Sequence, residues 1–252
     1  MCHADYHHES KAANLIKLYK EMDEVTNEFF SNSPTASFCR KGCHCCCYDS
    51  FPISQIEFEV ILNELKKYLN QKQIEELFDR ALEQNEIVKK SDPVYYSLLE
   101  TNGSRDQTAF FKQIDHASNK RKTAFPCLFL NQEEGMCTVY ENRPYICRAF
   151  GTTHVENDIL VDYDVCEVIP SSKALIDSTP AVDHIERDRD RISNLLIDGQ
   201  HFTLRPYPIY YWFKIYYEKN GLKKQIPSFE QKMNFASPQA IADKSFVEKG
   251  WS

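Results

Sequence analysis

Glycine is scarce in this chain: seven in 252 residues, at positions 42, 103, 135, 151, 199, 221 and 250, never close together. That scatter excludes the Walker phosphate loop and the GxGxxG fingerprint, which both need several glycines within a few residues. His-Glu-x-x-His and Gly-x-Ser-x-Gly are also missing, which removes the commonest zinc-protease and serine-hydrolase signatures. No apolar run nears the roughly 18 residues of a membrane span, so no membrane association is expected. Basic residues are not in excess. The net charge of −7 argues against a general nucleic-acid binder, which needs clustered Lys and Arg against phosphate. The opening residues, Met1 to His8, lack the basic start and apolar run of a secretory signal, so a cytoplasmic location is expected.

Cysteine, in contrast, is abundant. Five of the ten fall within nine residues, in Cys39-Arg40-Lys41-Gly42-Cys43-His44-Cys45-Cys46-Cys47. Cytosolic thiols are kept reduced, so a cluster of this density points to metal or redox chemistry and not to a disulfide scaffold. On a helix of about 100° per residue, Cys39, Cys43, Cys46 and Cys47 share an arc roughly 100° wide and Cys45 faces away. Gly42 weakens such a helix, and a turn achieves the same convergence. A second block supplies Cys127, Cys137, Cys147 and Cys166, making eight candidate metal ligands. One tetrahedral zinc or one iron–sulfur cluster takes four thiolates. The eight are therefore compatible with one site, two sites or a multinuclear one. Arg40, Lys41, Arg143 and Arg148 flank these positions. Arg148 is the first expected to hydrogen-bond sulfur or offset its charge.

Around the cysteines the pattern is mainly helical. Apolar residues recur from Ser10 to about Ser31 in an amphipathic helix that follows a polar, flexible segment, residues 1–9. Ser54 and Glu57 form a capping box for a helix to about Asn70. A second helix begins near Gln71, with Ile74, Leu77, Phe78, Ala81, Ile87 and Val88 inward. Short helices are expected over Tyr95–Glu100 and from Thr108 to about Lys120. Two apolar runs on either side of an acidic, glycine-containing loop predict a hairpin with Cys127 and Cys137 near one another. Cys147 falls early in the next helical turn, where the positive helix end favours thiolate. Ile159–Tyr163 is strand-like. Asp177–Ile197 reads as a charged helix with Ile185, Ile192, Leu195 and Leu196 inward. The tract Tyr207–Tyr217 reads as a helix whose aromatics serve as core or as the contact surface for a protein partner. A loosely packed tail, residues 227–252, closes the chain. The expected architecture is a single irregular helical domain over residues 10–226, with a small β-hairpin beside a cysteine-rich metal site.

These motifs resemble the CxxCxxCC family of zinc- or iron-chelating domains, which includes YkgJ-like proteins. Cys39, Cys43, Cys46 and Cys47 match its first motif. Cys127-Leu128-Phe129-Leu130, Cys137-Thr138-Val139-Tyr140 and Arg143-Pro144-Tyr145-Ile146-Cys147-Arg148 match its second. The wider Cys39–Cys43 gap, the additional Cys45 and Leu128 in place of a common proline are departures. The resemblance implies an iron–sulfur cluster or zinc as cofactor. It also reaches flagellin lysine N-methylases, so an iron–sulfur-dependent redox or protein-modifying enzyme is one alternative. An interaction module held together by structural zinc is another.

Overall fold

The structure, a computed structural model, describes residues 3–32, 42–100, 122–149, 154–156, 159–161, 183–197, 200–204, 206–220 and 247–249. As the sequence predicts, helices dominate and a small hairpin stands beside the cysteines.

The first helix, α1 (His3–Asn32), starts earlier than its apolar pattern does. Residues 3–9 are polar but contain neither glycine nor proline, so nothing in them stops the helix from extending. Leu15, Leu18, Tyr19, Met22 and Thr26 form its buried stripe. At its far end Ser31 Oγ and Asn32 Nδ2 donate to the carbonyls of Asn27 and Glu28, at 2.7 and 3.0 Å.

Strand β1 (Pro52–Ile53) leads into α2 (Gln55–Tyr68), which opens on the predicted Ser54–Glu57 capping box. A second capping box, Asn70 with Gln73, opens α3 (Gln71–Ser91). Pro93 then starts α4 (Pro93–Glu100), two residues before the predicted Tyr95, at a position where its missing N–H costs nothing. Ile87, expected inward on α3, is 41% exposed; its neighbour Val88 takes the buried face. Two carboxylates on α2, Glu57 and Glu59, are buried. Glu59 accepts from Gln55 Nε2 at 3.1 Å and from the Tyr216 hydroxyl at 2.5 Å.

The hairpin pairs β2 (Leu130–Asn131) with β3 (Met136–Cys137), and α5 (Tyr145–Ala149) follows. Strands β4 (His154–Glu156) and β5 (Ile159–Val161) pair with each other. The charged helix α6 (Asp183–Ser193) is shorter than predicted. Leu195 and Leu196 are not helical but lie in β6 (Asn194–Ile197), which pairs with β7 (Gln200–Leu204). Strand β9 (Val247–Lys249) adds to β7, so part of the expected tail is in a sheet. The segment expected to be helical from Thr108 to Lys120 lies outside the described residues.

The aromatic tract becomes β8 (Tyr207–Pro208), paired with β1, and helix α7 (Ile209–Asn220). Tyr207, Tyr210, Tyr211, Trp212, Phe213 and Tyr216 are all buried and form the main core with α2, α3 and α4. Phe213 meets the rings of Phe58 and Phe78 edge-on at 5.0 and 4.9 Å. Trp212 Nε1 donates to the Ile53 carbonyl at 2.8 Å, and Asn85 Nδ2 to that of Tyr210 at 2.7 Å. These side chains are used inside the fold; Ile209, Lys214 and Tyr217 on the same stretch are half-buried. A second core lies under α1, where Leu15, Tyr19 and Met22 meet Ile56, Val60, Tyr145 and Ile185. The second cysteine block packs against the main core, and α5 against the second. Among the described residues no helix is long and apolar enough to cross a membrane.

Candidate metal centre

The first cysteine block turns at Gly42, where φ is +89°, and then winds into one 3-10 turn, Cys45–Tyr48. The turn alternative is therefore the one adopted here. The second block runs alongside it. Thr123 N donates to the Tyr48 carbonyl at 2.7 Å and Cys127 N to the Cys47 carbonyl at 2.6 Å, while Asp49 bridges Lys122. Lys122 Nζ reaches the Cys45 carbonyl at 3.3 Å. Helix α3 holds the outer side of the second block: Arg80 donates to the Leu128 carbonyl and Gln84 to that of Pro126, at 3.2 and 3.0 Å.

In the hairpin Cys137 lies opposite Leu130, not Cys127, and Thr138 N bonds the Phe129 carbonyl at 2.8 Å. Its loop folds back onto the first block at Gly135, which has a φ of +64°. A Cβ placed there would fall 2.9 Å from the Gly42 carbonyl oxygen and 3.2 Å from His44 Nδ1. Only glycine permits both that backbone and that approach. His44 Nδ1 is itself 3.1 Å from the Gly42 carbonyl oxygen.

Cys147 sits in the first turn of α5, its N–H on the Pro144 carbonyl at 3.0 Å. Two contacts fix that turn. Tyr145 N donates to Glu57 Oε1 at 2.9 Å, and the same oxygen accepts the Tyr19 hydroxyl at 3.3 Å. Arg148, with its side chain fully buried, pairs with Asp23 on α1. Of the two expected roles Arg148 takes the second: its charge favours the Cys137 thiolate, and it donates to no described sulfur. Among the described residues its donors go to Asp23 and to the carbonyls of Tyr19, Glu141 and Arg143. Asp23 is a site residue that sequence reasoning missed. It stands four residues after Tyr19 and three before Thr26, so an acid on a buried stripe was the available signal.

None of the seven described cysteines is in a disulfide. Six of them act on one another through charge, with Cys46 at the centre. Its thiol is raised by a hydrogen bond with Cys47, then by burial and by the charges of Cys47, Cys43 and Asp49. Burial pushes Cys127 up to about 12, with Cys137 and Cys46 adding to the shift and the Phe129 backbone opposing it. Cys137 is raised by burial and by Cys46, and drawn back by Val139 N–H, Arg143 and Arg148. Cys147 lies well above the ordinary thiol range, first through burial and then through Cys46, Cys127, Cys137 and Glu57. At Cys147 burial outweighs the expected pull of the helix start toward thiolate. A five-residue helix has too small a dipole to outweigh burial among other sulfurs.

Among the described residues no three His, Cys, Asp or Glu side chains already form a grouping that could hold a metal ion. The donor set nevertheless suits a thiophilic one: its atoms are sulfurs, and those of Cys46, Cys127, Cys137 and Cys147 are shifted toward the protonated form until a cation displaces the proton. The structure brings Cys43, Cys46, Cys47, Cys127, Cys137 and Cys147 into one neighbourhood; Cys39 and Cys166 lie outside the described residues.

Residues 38–167 match the CxxCxxCC family, described as "Putative zinc- or iron-chelating domain". The chain belongs to this family. The match covers both cysteine blocks and stops short of α1, α6 and α7. No curated protein and no solved structure matches the chain.

Proposed function

We propose that this CxxCxxCC chain chelates a soft metal through an all-thiolate centre assembled from both cysteine blocks. The ligands are drawn from Cys43, Cys46, Cys47, Cys127, Cys137 and Cys147, together with Cys39 and Cys166. The observation that carries this reading is the 2.6 Å bond from Cys127 N to the Cys47 carbonyl, which lays the two blocks side by side through main chain. A sulfur-only donor set suits zinc or an iron–sulfur cluster, and either takes four of these thiolates. When bound, such a centre supplies a cross-link between the blocks and, in the iron–sulfur case, a redox couple. Thiols outside disulfides at every described cysteine fit a reducing compartment, and we place the protein in the cytoplasm.

Anaerobic purification with metal and sulfide analysis and a visible spectrum tests this. A brown protein with labile sulfide identifies the cluster, and a colourless one with stoichiometric zinc identifies a zinc site. A folded, reduced sample that contains neither and accepts neither overturns the proposal.

A further inference from the structure

Asp23 divides its carboxylate between two arginines of the second cysteine block. Oδ1 accepts from Arg143 Nη2 at 2.9 Å, and Oδ2 takes Arg148 Nη1. The Asp23 side chain is 26% exposed and that of Arg148 0%. The Arg148 guanidinium also lies over the Tyr19 ring at 4.4 Å. Three residues earlier on α5, Tyr145 N shares Glu57 Oε1 with the Tyr19 hydroxyl. Arg189 of α6 lies over the Tyr145 ring at 4.8 Å. Cys147 therefore lies between two residues, Tyr145 and Arg148, that are each tied to α1. Helix α1 lies outside the family match.

We propose that α1 is a latch on the metal centre and that Asp23 is a positioning residue for Cys147. Asp23 acts through Arg148 and touches no sulfur. Docking of α1 fixes the turn that carries Cys147, and loading of the centre holds that turn, so metal binding and α1 docking strengthen each other by the same factor. The inference rests on the thiols being a metal centre. It goes further in making a helix outside the cysteine motifs part of that centre's affinity. Without Asp23 the buried Arg148 loses its counter-charge and the α5 turn loses its hold on α1.

Zinc alone serves as the probe, on the full reduced chain. Amide hydrogen exchange of wild type is compared metal-free and zinc-loaded. In α1 it is expected to slow by about tenfold or more on loading, as a shared coupling energy requires. In α3, exchange is expected to stay constant. Asp23→Asn is expected to bind zinc about 10- to 100-fold more weakly, the usual cost of losing an outer-shell partner, and Asp23→Glu to recover part of it. Glu24→Gln, the same charge change on an exposed neighbour, is expected to keep wild-type affinity. A wild type that takes up no zinc defeats this inference, and defeats the metal reading with it where the chain accepts no iron–sulfur cluster either. A wild type that binds zinc while α1 exchange stays unchanged, or an Asp23→Asn with undiminished affinity, defeats the latch alone.

Discussion

Gly42 and Gly135 meet across the two cysteine blocks. Both have positive φ, and a Cβ on Gly135 would stand 2.9 Å from the Gly42 carbonyl oxygen, whereas one on Gly42 meets nothing within 4 Å. The hairpin loop is thus pressed against the turn that carries Cys43.

The two glycines differ in what a methyl group would cost. Gly42→Ala bears only the left-handed backbone, about 1–2 kcal/mol. Gly135→Ala bears that strain and also forces the loop away from the first block, so it should destabilise more and loosen metal retention. Urea midpoints and metal retention of the two variants check this. An equal or reversed order would remove the contact from consideration.

Cysteine substitutions should separate the proposed ligands from Cys45, which the helical arc of the first block turns away from the others. Cys46→Ser, Cys47→Ser and Cys147→Ser should strip most of the bound metal, since Cys46 interacts with five other cysteines and Cys147 with three, Cys46 among them. Cys45→Ser should leave metal content near wild type. Metal-to-protein ratios after anaerobic purification decide it, and comparable losses in all variants would show that no particular sulfurs are selected.

Glu57 joins three parts of the chain. It accepts from Ser54 N, the Ser54 hydroxyl, the Tyr19 hydroxyl and Tyr145 N. Glu57→Ala would leave buried donors without acceptors, at about 3–5 kcal/mol. Glu57→Gln keeps one oxygen and should cost less. Thermal unfolding of both gives the ranking, and near-identity with wild type for Glu57→Ala would refute the junction.

Without metal, stability should fall as pH rises through the alkaline range. Cys127 is held up to about 12 in the folded chain, chiefly by burial. In the unfolded chain a thiol titrates near 8.5. Between those values the folded state keeps a proton that the unfolded state releases, so each pH unit removes at most about 1.4 kcal/mol. Cys137 and Cys147, also raised, act in the same direction. Metal-loaded protein, whose ligands have already lost their protons, should show a flatter profile. Denaturation at several values from pH 7 to 10 makes the comparison, and a metal-free form that gains stability over that range would contradict it.

Local chemistry was legible in the sequence wherever partners lie close along the chain. The Ser54–Glu57 cap, the start of α3 and the loop at Gly135 all follow from residues three to ten apart. Arg148 was placed correctly beside the cysteines, but its partner was not, because Asp23 lies on a helix over a hundred residues earlier. Leu195 and Leu196 repeat at a spacing that also suits a helix; pairing with His201 and Phe202 decides for a strand. The dipeptide Asp198-Gly199 between the two strands was the sequence signal for that hairpin. Ile87 and Val88 form an adjacent apolar pair of which periodicity alone could not choose the buried member.

The main-chain bond between Cys47 and Cys127 has a further consequence. Closing the intervening loop of about 80 residues costs roughly 4 kcal/mol in chain entropy from length alone. Here main-chain bonds at Cys47 and Tyr48 and the side chains of α3 offset that cost. On the proposed reading the ion is then spared the work of closing that loop and has only to draw together thiols that the main chain already sets side by side.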